Sequence, residues 1–176
     1  MKKTEIKKQR IFDATESLIN ERGGDFSLEM VAKKAEVSKG GLLYYFPTKE
    51  SLLAALALAI HEEFTAGLID KAEQSEEAGR WTRALVDSLI EDMNSGMKLN
   101  VAVRANMMID NQLIEKVQSD YEKIQMRVEN DGIDPINGTI VRLTMQGLYH
   151  AMWFDVAPLG KQETLNVVER LHTLIQ

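Results

Sequence analysis

Apolar side chains recur every three to four residues along almost the whole chain, and this spacing most constrains its fold. Such a period places apolar residues on one side of an α-helix, whereas a β-strand requires alternation of apolar and polar residues. β-branched residues never alternate with polar ones for long, so strand signals are scarce. Because 44% of the 176 residues are apolar, the helices can bury a sizeable core. The sequence therefore predicts an all-α fold of about nine helices.

Capping and breaking residues divide this pattern into separate helices. Thr4 is a candidate N-cap for a first helix over residues 5–22, which the glycine pair at residues 23–24 would end. Asp134 followed by Pro135 predicts a helix start, because proline fits the first helical position behind a capping acid. The other predicted helices begin near Ser27, Ser38, Thr48, Arg80, Asn100, Asn111 and Gly160, and the last one extends to Ile175.

Residues 27–46 predict two short helices joined by a tight turn at Glu36 and Val37, the second of which is stopped by the proline at residue 47. This arrangement is typical of a DNA-binding helix-turn-helix, whose second helix enters the major groove by its N-terminal end. Gly40 and Gly41 would allow the backbone to approach DNA closely, and Lys39 can reach a guanine edge or a phosphate. On these residues alone, an ordinary helical hairpin with solvated lysines is an equally good interpretation.

The candidate DNA-binding residues are small, hydroxyl-bearing or basic. Ser38 can donate a hydrogen bond to a phosphate oxygen, and the residues at positions 44–49 would hold the backbone of the other strand. The full set comprises Ser27, Ser38, Lys39, Gly40, Gly41, Tyr44, Tyr45, Thr48 and Lys49. Charge agrees with an anionic partner at this end: residues 1–50 hold 10 Lys/Arg and 8 Asp/Glu, whereas residues 51–176 hold 11 and 19. A solvated, lysine-rich terminus would explain the same asymmetry.

A long, ordered string within residues 11–53 resembles the DNA-binding domain of the TetR family of bacterial transcription regulators. The string comprises Ile11-Phe12-Asp13-Ala14, Phe26-Ser27, Val31-Ala32, Ala35, Val37-Ser38-Lys39-Gly40, Tyr44 and Phe46-Pro47-Thr48-Lys49-Glu50-Ser51-Leu52. The resemblance implies a homodimer that binds a palindromic operator through its first four helices. It also implies a small-molecule pocket in the later helices and a dimer interface formed by the last two. Family members are usually repressors that a ligand releases from DNA.

Two positions depart from the family pattern. Leu43 stands where the family often has tyrosine, and Tyr45 stands where it often has histidine. A tyrosine at position 45 can still donate a hydrogen bond to a phosphate oxygen. A leucine at position 43 removes one polar contact and allows an apolar contact with the methyl group of a thymine.

We therefore expect a helix-turn-helix DNA-binding domain over residues 1–50 and a helical effector-binding and dimerisation domain over residues 51–176. Only general architecture transfers to the second domain, and the effector expected there is small and mainly apolar. Its candidate binding residues are Phe64, Leu89, Met93, Met107, Tyr121, Met145 and Tyr149. These side chains would serve equally well as packing between helices. The alternative function is therefore a ligand-independent DNA-binding protein with a filled core, either architectural or linked to cell division.

Small residues in the eighth predicted helix favour close contact with another helix. Gly147 and Ala151 lie four residues apart, on one side of that helix. The apolar residues around them and on the last helix are Ile140, Leu148, Met152, Leu165, Val168, Leu171 and Ile175. A symmetric four-helix interface would bury them all, so the sequence predicts a homodimer formed through the last two helices. Packing within one subunit is the other interpretation.

Several classes of function are not supported by the residues present. The absence of cysteine excludes disulfides and thiol catalysis, and it fits a reducing cytoplasm. His61, His150 and His172 have no partners at a convincing ligand spacing, so no metal, cofactor or enzymatic activity is predicted. No apolar run approaches the roughly 20 residues that span a bilayer, so no membrane contact is predicted either.

Overall fold

The computed structural model describes residues 3–94 and 111–176, and all of the regular secondary structure in those residues is α-helical. Its eight helices are α1 (Lys3–Arg22), α2 (Leu28–Lys34), α3 (Lys39–Leu43), α4 (Lys49–Glu73), α5 (Arg80–Asn94), α6 (Asn111–Glu129), α7 (Pro135–Phe154) and α8 (Lys161–His172). The predicted all-α fold is confirmed. The additional short helix predicted to begin at Asn100 lies outside the described residues.

Four of the predicted caps are present in the structure. The hydroxyls of Ser27, Ser38 and Thr48 each accept a hydrogen bond from the backbone amide three residues further on, at 3.3, 3.1 and 3.0 Å. Asp134 accepts one from the amide two residues further on, at 2.8 Å, and proline follows it in the first turn of α7. These bonds satisfy backbone N–H groups that have no acceptor within the helix.

Three predicted boundaries differ from the structure. α1 already includes Thr4, so this threonine lies inside the helix and does not cap it. α3 ends at Leu43 with Tyr44 as its C-cap, four residues before the proline that was expected to stop it. The amide of Phe46 still bonds to the carbonyl of Leu42 at 2.9 Å, so a closing turn replaces the last turn of helix. α8 ends at His172, before Ile175.

The described residues form two compact units. Two helices, α4 and α6, each contribute residues to both units. The first comprises residues 3–60 and 111–114, and the second comprises residues 61–94 and 115–176. The first unit has its own core of buried apolar residues, which include Ile11, Leu18, Ile19, Val31, Leu42, Leu52 and Leu56. The domain boundary predicted after residue 50 lies near the start of α4 and stays a prediction.

The second unit is organised around α5. Leu85 and Val86 on this helix are completely buried, as is Met145 of α7, which belongs to the same apolar cluster. The N-terminus of α5 is capped from a distance, because Asp131 accepts hydrogen bonds from the backbone amides of Trp81 and Thr82 at 3.0 and 2.7 Å. This buried carboxylate ties the turn between α6 and α7 to the start of α5.

α4 is long and apolar enough to cross a membrane by length and composition alone, with a mean hydropathy of 1.6 over its most apolar stretch. A core helix of a water-soluble protein passes the same test. Leu52, Leu56 and Leu68 are at most 1% exposed, and Glu62 and Glu63 interrupt the apolar sequence at an exposed position. These features agree with the role of α4 as a core helix.

Candidate nucleic-acid interface and effector core

α2 and α3 pack against each other through a small apolar contact. Val31 and Ala32 of α2 are buried, and so are Leu42 and Phe46 on and after α3. The turn between the two helices is tight, because Glu36 adopts a φ of 52°, in the left-handed region. The first unit therefore contains the helix-turn-helix geometry that the sequence predicts.

The nine predicted DNA-binding residues all lie in this first unit. Six of them are exposed, and Gly41, Tyr45 and Lys49 are partly buried. Tyr44 is 82% exposed, which is unusual for an aromatic side chain, and its ring meets that of Tyr45 edge-on with 5.2 Å between the centroids. The residues thus share one unit and are mostly accessible. Their contacts with DNA stay predictions.

Lys39, the predicted base-contacting residue, begins α3 and extends into solvent. Its amine lies 3.5 Å from the carboxylate of Glu29, and both side chains are more than half exposed. An exposed pair at this distance contributes at most about 1 kcal/mol. Lys39 can therefore leave Glu29 for a base edge at little cost.

Lys49 has strong contacts within its own unit. Its amine donates hydrogen bonds to the backbone carbonyls of Gly24 and Phe26 at 2.5 and 2.8 Å, and it lies 4.0 Å from the centroid of the Phe26 ring. The amine thereby ties the start of α4 to the loop between α1 and α2. Since an ammonium has three N–H groups, one donor remains for a phosphate.

Gly40 and Gly41, which the sequence treats as a pair, have different surroundings. A Cβ atom at Gly40 would meet nothing within 4 Å. A Cβ atom at Gly41 would lie 2.7 Å from the amine of Lys7 and 2.8 Å from the hydroxyl of Ser38. The space above Gly41 is therefore already filled by protein atoms.

Most of the candidate effector-binding residues meet in the second unit. Leu89 and Met145 are buried in its apolar cluster, and Phe64 and Tyr149 pack against that cluster. The Tyr149 hydroxyl bonds to the carboxylate of Asp92 at 2.5 Å. Met93, near the end of α5, and Tyr121, on α6, are partly buried, and burial raises the pKa of the Tyr121 hydroxyl. Met107 lies outside the described residues.

A buried polar pair lies in the same unit. The imidazole Nε2 of His61 is 3.1 Å from the carboxylate of Asp120, and both side chains are less than 10% exposed. Burial raises the pKa of the Asp120 carboxyl, but hydrogen bonds from Lys116, His61 and Lys123 outweigh this effect and hold the pKa below its usual value. The sequence analysis missed this pair because the two residues are 59 positions apart.

The predicted dimer helices carry both buried and exposed apolar residues. Leu148, Val168, Leu171 and Ile175 are at most 9% exposed within one subunit, so they form its own core instead of an interface. The exposed apolar residues on α7 and α8 include Ile136, Ile140, Leu143, Phe154 and Leu165. A Cβ atom at Gly147 would meet nothing within 4 Å, so this side of α7 is open in the single chain.

Two family models match this chain. One describes bacterial regulatory proteins of the tetR family and matches residues 11–56. The other describes a tetracyclin repressor-like C-terminal domain and matches residues 79–176, more than half of the chain. The chain belongs to the TetR family. It is therefore a TetR-family DNA-binding transcriptional regulator. Members of this family regulate transcription, are not enzymes, and act as dimers.

Individual relatives are more distant. The chain is 27% identical over 134 residues to the nucleoid occlusion factor SlmA of Actinobacillus pleuropneumoniae, a match covering 73% of this chain and 66% of that protein. The fatty acid degradation regulator FadR from Bacillus halodurans has a similar fold, with a TM-score of 0.69, 19% identity and coverage of 96% and 94%. The multidrug binding protein EbrR complexed with malachite green has a TM-score of 0.61 at 21% identity, with coverage of 93% and 96%.

Some residues of the first unit, called the DNA-binding head from here on, were missed by the sequence analysis. The amines of Lys7 and Lys8 lie 5.7 and 5.8 Å from the centroid of the Tyr45 ring. The only signal in the sequence is the basic start of the chain, with five basic residues among the first ten. The sequence shows that this end of the chain is positively charged, but only the packing of α1 shows that the charges lie beside Tyr45.

Proposed function

We propose that this regulator is a homodimeric repressor that binds a palindromic operator and is released from it by a small, mainly apolar effector. It would act in the cytoplasm, on double-stranded DNA. The proposal rests first on the solvent-facing residues around α3. Ser38, Lys39 and Tyr44 are exposed, although Leu42 and Phe46 between and after them are buried. Such a fully packed head with an accessible polar surface suits insertion into a major groove.

The proposed DNA contacts divide by chemistry. Lys39 would donate to a guanine edge, because its flexible stem reaches beyond the first turn of α3. Ser27, Ser38, Thr48 and the two tyrosines would donate to phosphate oxygens, which fixes the position of the head without reading sequence. Gly40 would let the backbone approach the duplex, because the space beside it is open.

The palindromic operator follows from the proposed dimer. A two-fold symmetric dimer presents two identical heads, so its preferred site repeats one half-site in inverted order. Ile136, Ile140 and Leu143 are 43–67% exposed, and their spacing of four and three residues puts them on one side of α7. An exposed apolar stripe of this kind favours a second copy as its partner, through α7 and α8.

The effector would bind among the apolar residues of the second unit. Phe64, Leu89, Met145 and Tyr149 share one cluster there, and methionine adapts easily to ligands of different shape. Neighbours of similar fold include a multidrug binding protein complexed with malachite green and a fatty acid degradation regulator. An effector releases DNA only if it binds the released conformation more tightly than the DNA-bound one.

The operator is tested by selection from a random pool of 30-base-pair duplexes, followed by sequencing of the bound fraction. We expect an inverted repeat, bound by one or more dimers. Recovery of a site without two-fold symmetry would contradict the dimeric mode of binding. Release is then tested on the recovered duplex with malachite green, ethidium and a saturated fatty acid, and an unrelated DNA-binding protein on its own site is the control, because ethidium itself intercalates into DNA. At least one of these compounds should lower the apparent affinity of this protein and leave that of the control unchanged.

A second candidate function is a ligand-independent DNA-binding protein of the same fold, with an architectural or division-linked role. The observation that favours it is the match to a nucleoid occlusion factor. The side chains of Leu89 and Met145 are at most 2% exposed, which also agrees with a filled core. Thermal unfolding in the presence of the three compounds separates the two functions. An effector protein should gain stability with one of them, since a ligand that binds only the folded state raises its melting temperature.

A further inference from the structure

The glycine at position 41 is not required by the backbone. Gly41 lies inside α3, and the glycines of this chain with left-handed φ values are found at other positions. A Cβ atom there would lie 2.7 Å from the amine of Lys7 and 2.8 Å from the hydroxyl of Ser38, so the ends of these two side chains would have to move. The Lys7 amine comes from α1, 34 positions earlier in the chain. Gly41 therefore leaves room for Lys7 on the surface of α3.

The position of the Lys7 amine is also supported by an aromatic ring. The amines of Lys7 and Lys8 both lie within 6 Å of the centroid of the Tyr45 ring. Cations at this distance are attracted to the face of a ring. The Tyr45 ring in turn meets the exposed ring of Tyr44. Two positive charges are thus held beside the residues that are proposed to contact DNA.

We propose that Lys7 is a DNA-binding residue that contacts a backbone phosphate, and that Gly41 is the positioning residue that allows its amine to lie across the first turn of α3. The inference rests on the proposed function in one respect, that α3 enters the major groove. An amine lying against the first turn of that helix then comes close to the phosphates that border the groove. A lysine on a flexible stem binds phosphate as a point charge, so its contact would not depend on sequence.

The test measures the dependence of binding on salt. Each phosphate contact releases counterions, so it adds about one unit to the slope of log affinity against log salt concentration. The probe is a 30-base-pair duplex of mixed sequence, for which no operator needs to be known. Lys7→Gln keeps most of the stem and the helix propensity but removes the charge. Its slope should be smaller by about one unit for each head that engages the duplex, and Lys7→Arg should restore it.

Lys161→Gln is the matched control for loss of charge. Lys161 is exposed at the start of α8, in the second unit, where no DNA contact is proposed. Its slope should therefore equal that of the unmodified protein. Circular dichroism of both variants checks that their helical content is unchanged.

Gly41→Ala tests the positioning role, and Gly67→Ala on α4 is its control, because a Cβ atom has open space at position 67 and Gly67 is not a proposed DNA contact. Gly41→Ala should lower the slope as Lys7→Gln does, and the double variant Lys7→Gln/Gly41→Ala should be no lower than either alone. Gly67→Ala should leave the slope unchanged. If Gly41→Ala behaves like Gly67→Ala, the positioning role is overturned.

The outcomes separate this inference from the proposed function. If the unmodified protein binds the duplex and Lys7→Gln keeps its full slope, Lys7 does not contact phosphate although the head binds DNA. If Lys7→Gln and Lys161→Gln lower the slope equally, the effect is one of net charge, and the inference is overturned as well. If the unmodified protein does not bind duplex DNA at any salt concentration, the proposed function itself fails.

Discussion

The amine of Lys49 lies 4.0 Å from the centroid of the Phe26 ring and donates to the carbonyl of the same residue at 2.8 Å. A second bond reaches the carbonyl of Gly24, 25 residues earlier in the chain. Together these contacts join α4 to the loop before α2. A residue that the sequence predicts as a phosphate contact thus also has a structural role, and the two roles lead to different measurements.

We expect Lys49→Ala to lower the free energy of unfolding by about 1–2 kcal/mol, because it removes two charge-assisted hydrogen bonds and a cation–π contact at a partly exposed site. Urea unfolding followed by circular dichroism measures this loss. If the remaining N–H of the amine reaches a phosphate, the salt slope should also fall by about one unit for each bound head. A lower stability with an unchanged slope would limit Lys49 to its structural role.

Local signals were sufficient to predict much of the first unit. The caps at Ser27 and Ser38 involve an amide only three residues away, so the pattern that predicts them lies within one turn of helix. The buried side of α1 likewise follows the helical period, because Ile11, Ala14 and Leu18 are at most 5% exposed. These signals predicted two short helices and the turn between them, but the resemblance to the TetR family, and not the period, favoured a DNA-binding helix-turn-helix over an ordinary helical hairpin.

Contacts between distant positions could not be predicted in the same way. Lys7 and Gly41 are both visible in the sequence, but only the packing of α1 brings them together. Val168 and Leu171 illustrate the opposite error, because an apolar stripe on a helix does not reveal whether its partner belongs to the same chain. In the structure both are buried in their own subunit. The helical period of a sequence shows which side of a helix is apolar, but it does not show whether that side packs within the subunit or against a second one.

The distant cap of α5 provides a test of stability. Asp131 is 6% exposed and accepts hydrogen bonds from the amides of Trp81 and Thr82 and from the Thr82 hydroxyl. Asp131→Asn replaces one of the two acceptor oxygens by a donor, so at least one of the three donors loses its partner. We expect the free energy of unfolding to fall by about 2–3 kcal/mol.

The control is the same substitution at an exposed cap. Asp134 caps α7 at the surface, where asparagine is as good an N-cap as aspartate. Asp134→Asn should therefore change the free energy of unfolding by less than about 0.5 kcal/mol. Equal losses of unfolding free energy for the two variants, measured by urea unfolding, would show that burial of the Asp131 cap does not increase its contribution to stability.

The His61–Asp120 pair predicts a pH dependence of stability. Because hydrogen bonds hold the pKa of Asp120 below its usual value in the folded state, the unfolded chain binds its proton more readily. The contribution of this carboxylate is therefore complete above its unfolded pKa of about 3.9 and is lost as the pH falls through its folded pKa. Asp120→Asn should lower the free energy of unfolding by about 2–4 kcal/mol at pH 7.

This difference between Asp120→Asn and the unmodified protein should shrink as the pH falls below about 4. Glu122→Gln, an exposed change on the same helix, is the control and should have little effect at either pH. Urea unfolding at pH 7 and at pH 3.5 measures both. A difference that stays constant between the two pH values would show that the charge of Asp120 does not contribute to stability.

Gly147→Leu tests the proposed dimer. Since the space beside Gly147 is open within one subunit, a larger side chain there should leave the subunit folded. In the proposed dimer, the larger side chain should separate the helices that pair across the interface. Both dimerisation and DNA binding should therefore become weaker. Gly67→Leu on α4 is the control, because a Cβ atom at Gly67 also meets nothing within 4 Å. Sedimentation of Gly147→Leu as an intact dimer would contradict the use of this side of α7.

Lys39 is expected to determine which operator is bound. Ser38 caps α3, so Lys39 is its first residue and lies where a recognition helix enters the groove deepest. The ion pair between Lys39 and Glu29 is exposed and contributes little, and Glu29→Gln should leave specific binding intact or strengthen it slightly.

Lys39→Ala should cost about 1–3 kcal/mol of binding free energy on the selected operator and far less on a duplex of mixed sequence. Both affinities are measured at one fixed salt concentration, since salt changes them unequally. Equal losses on the two duplexes would make Lys39 a phosphate contact, and the choice of operator would then depend on other residues of α3.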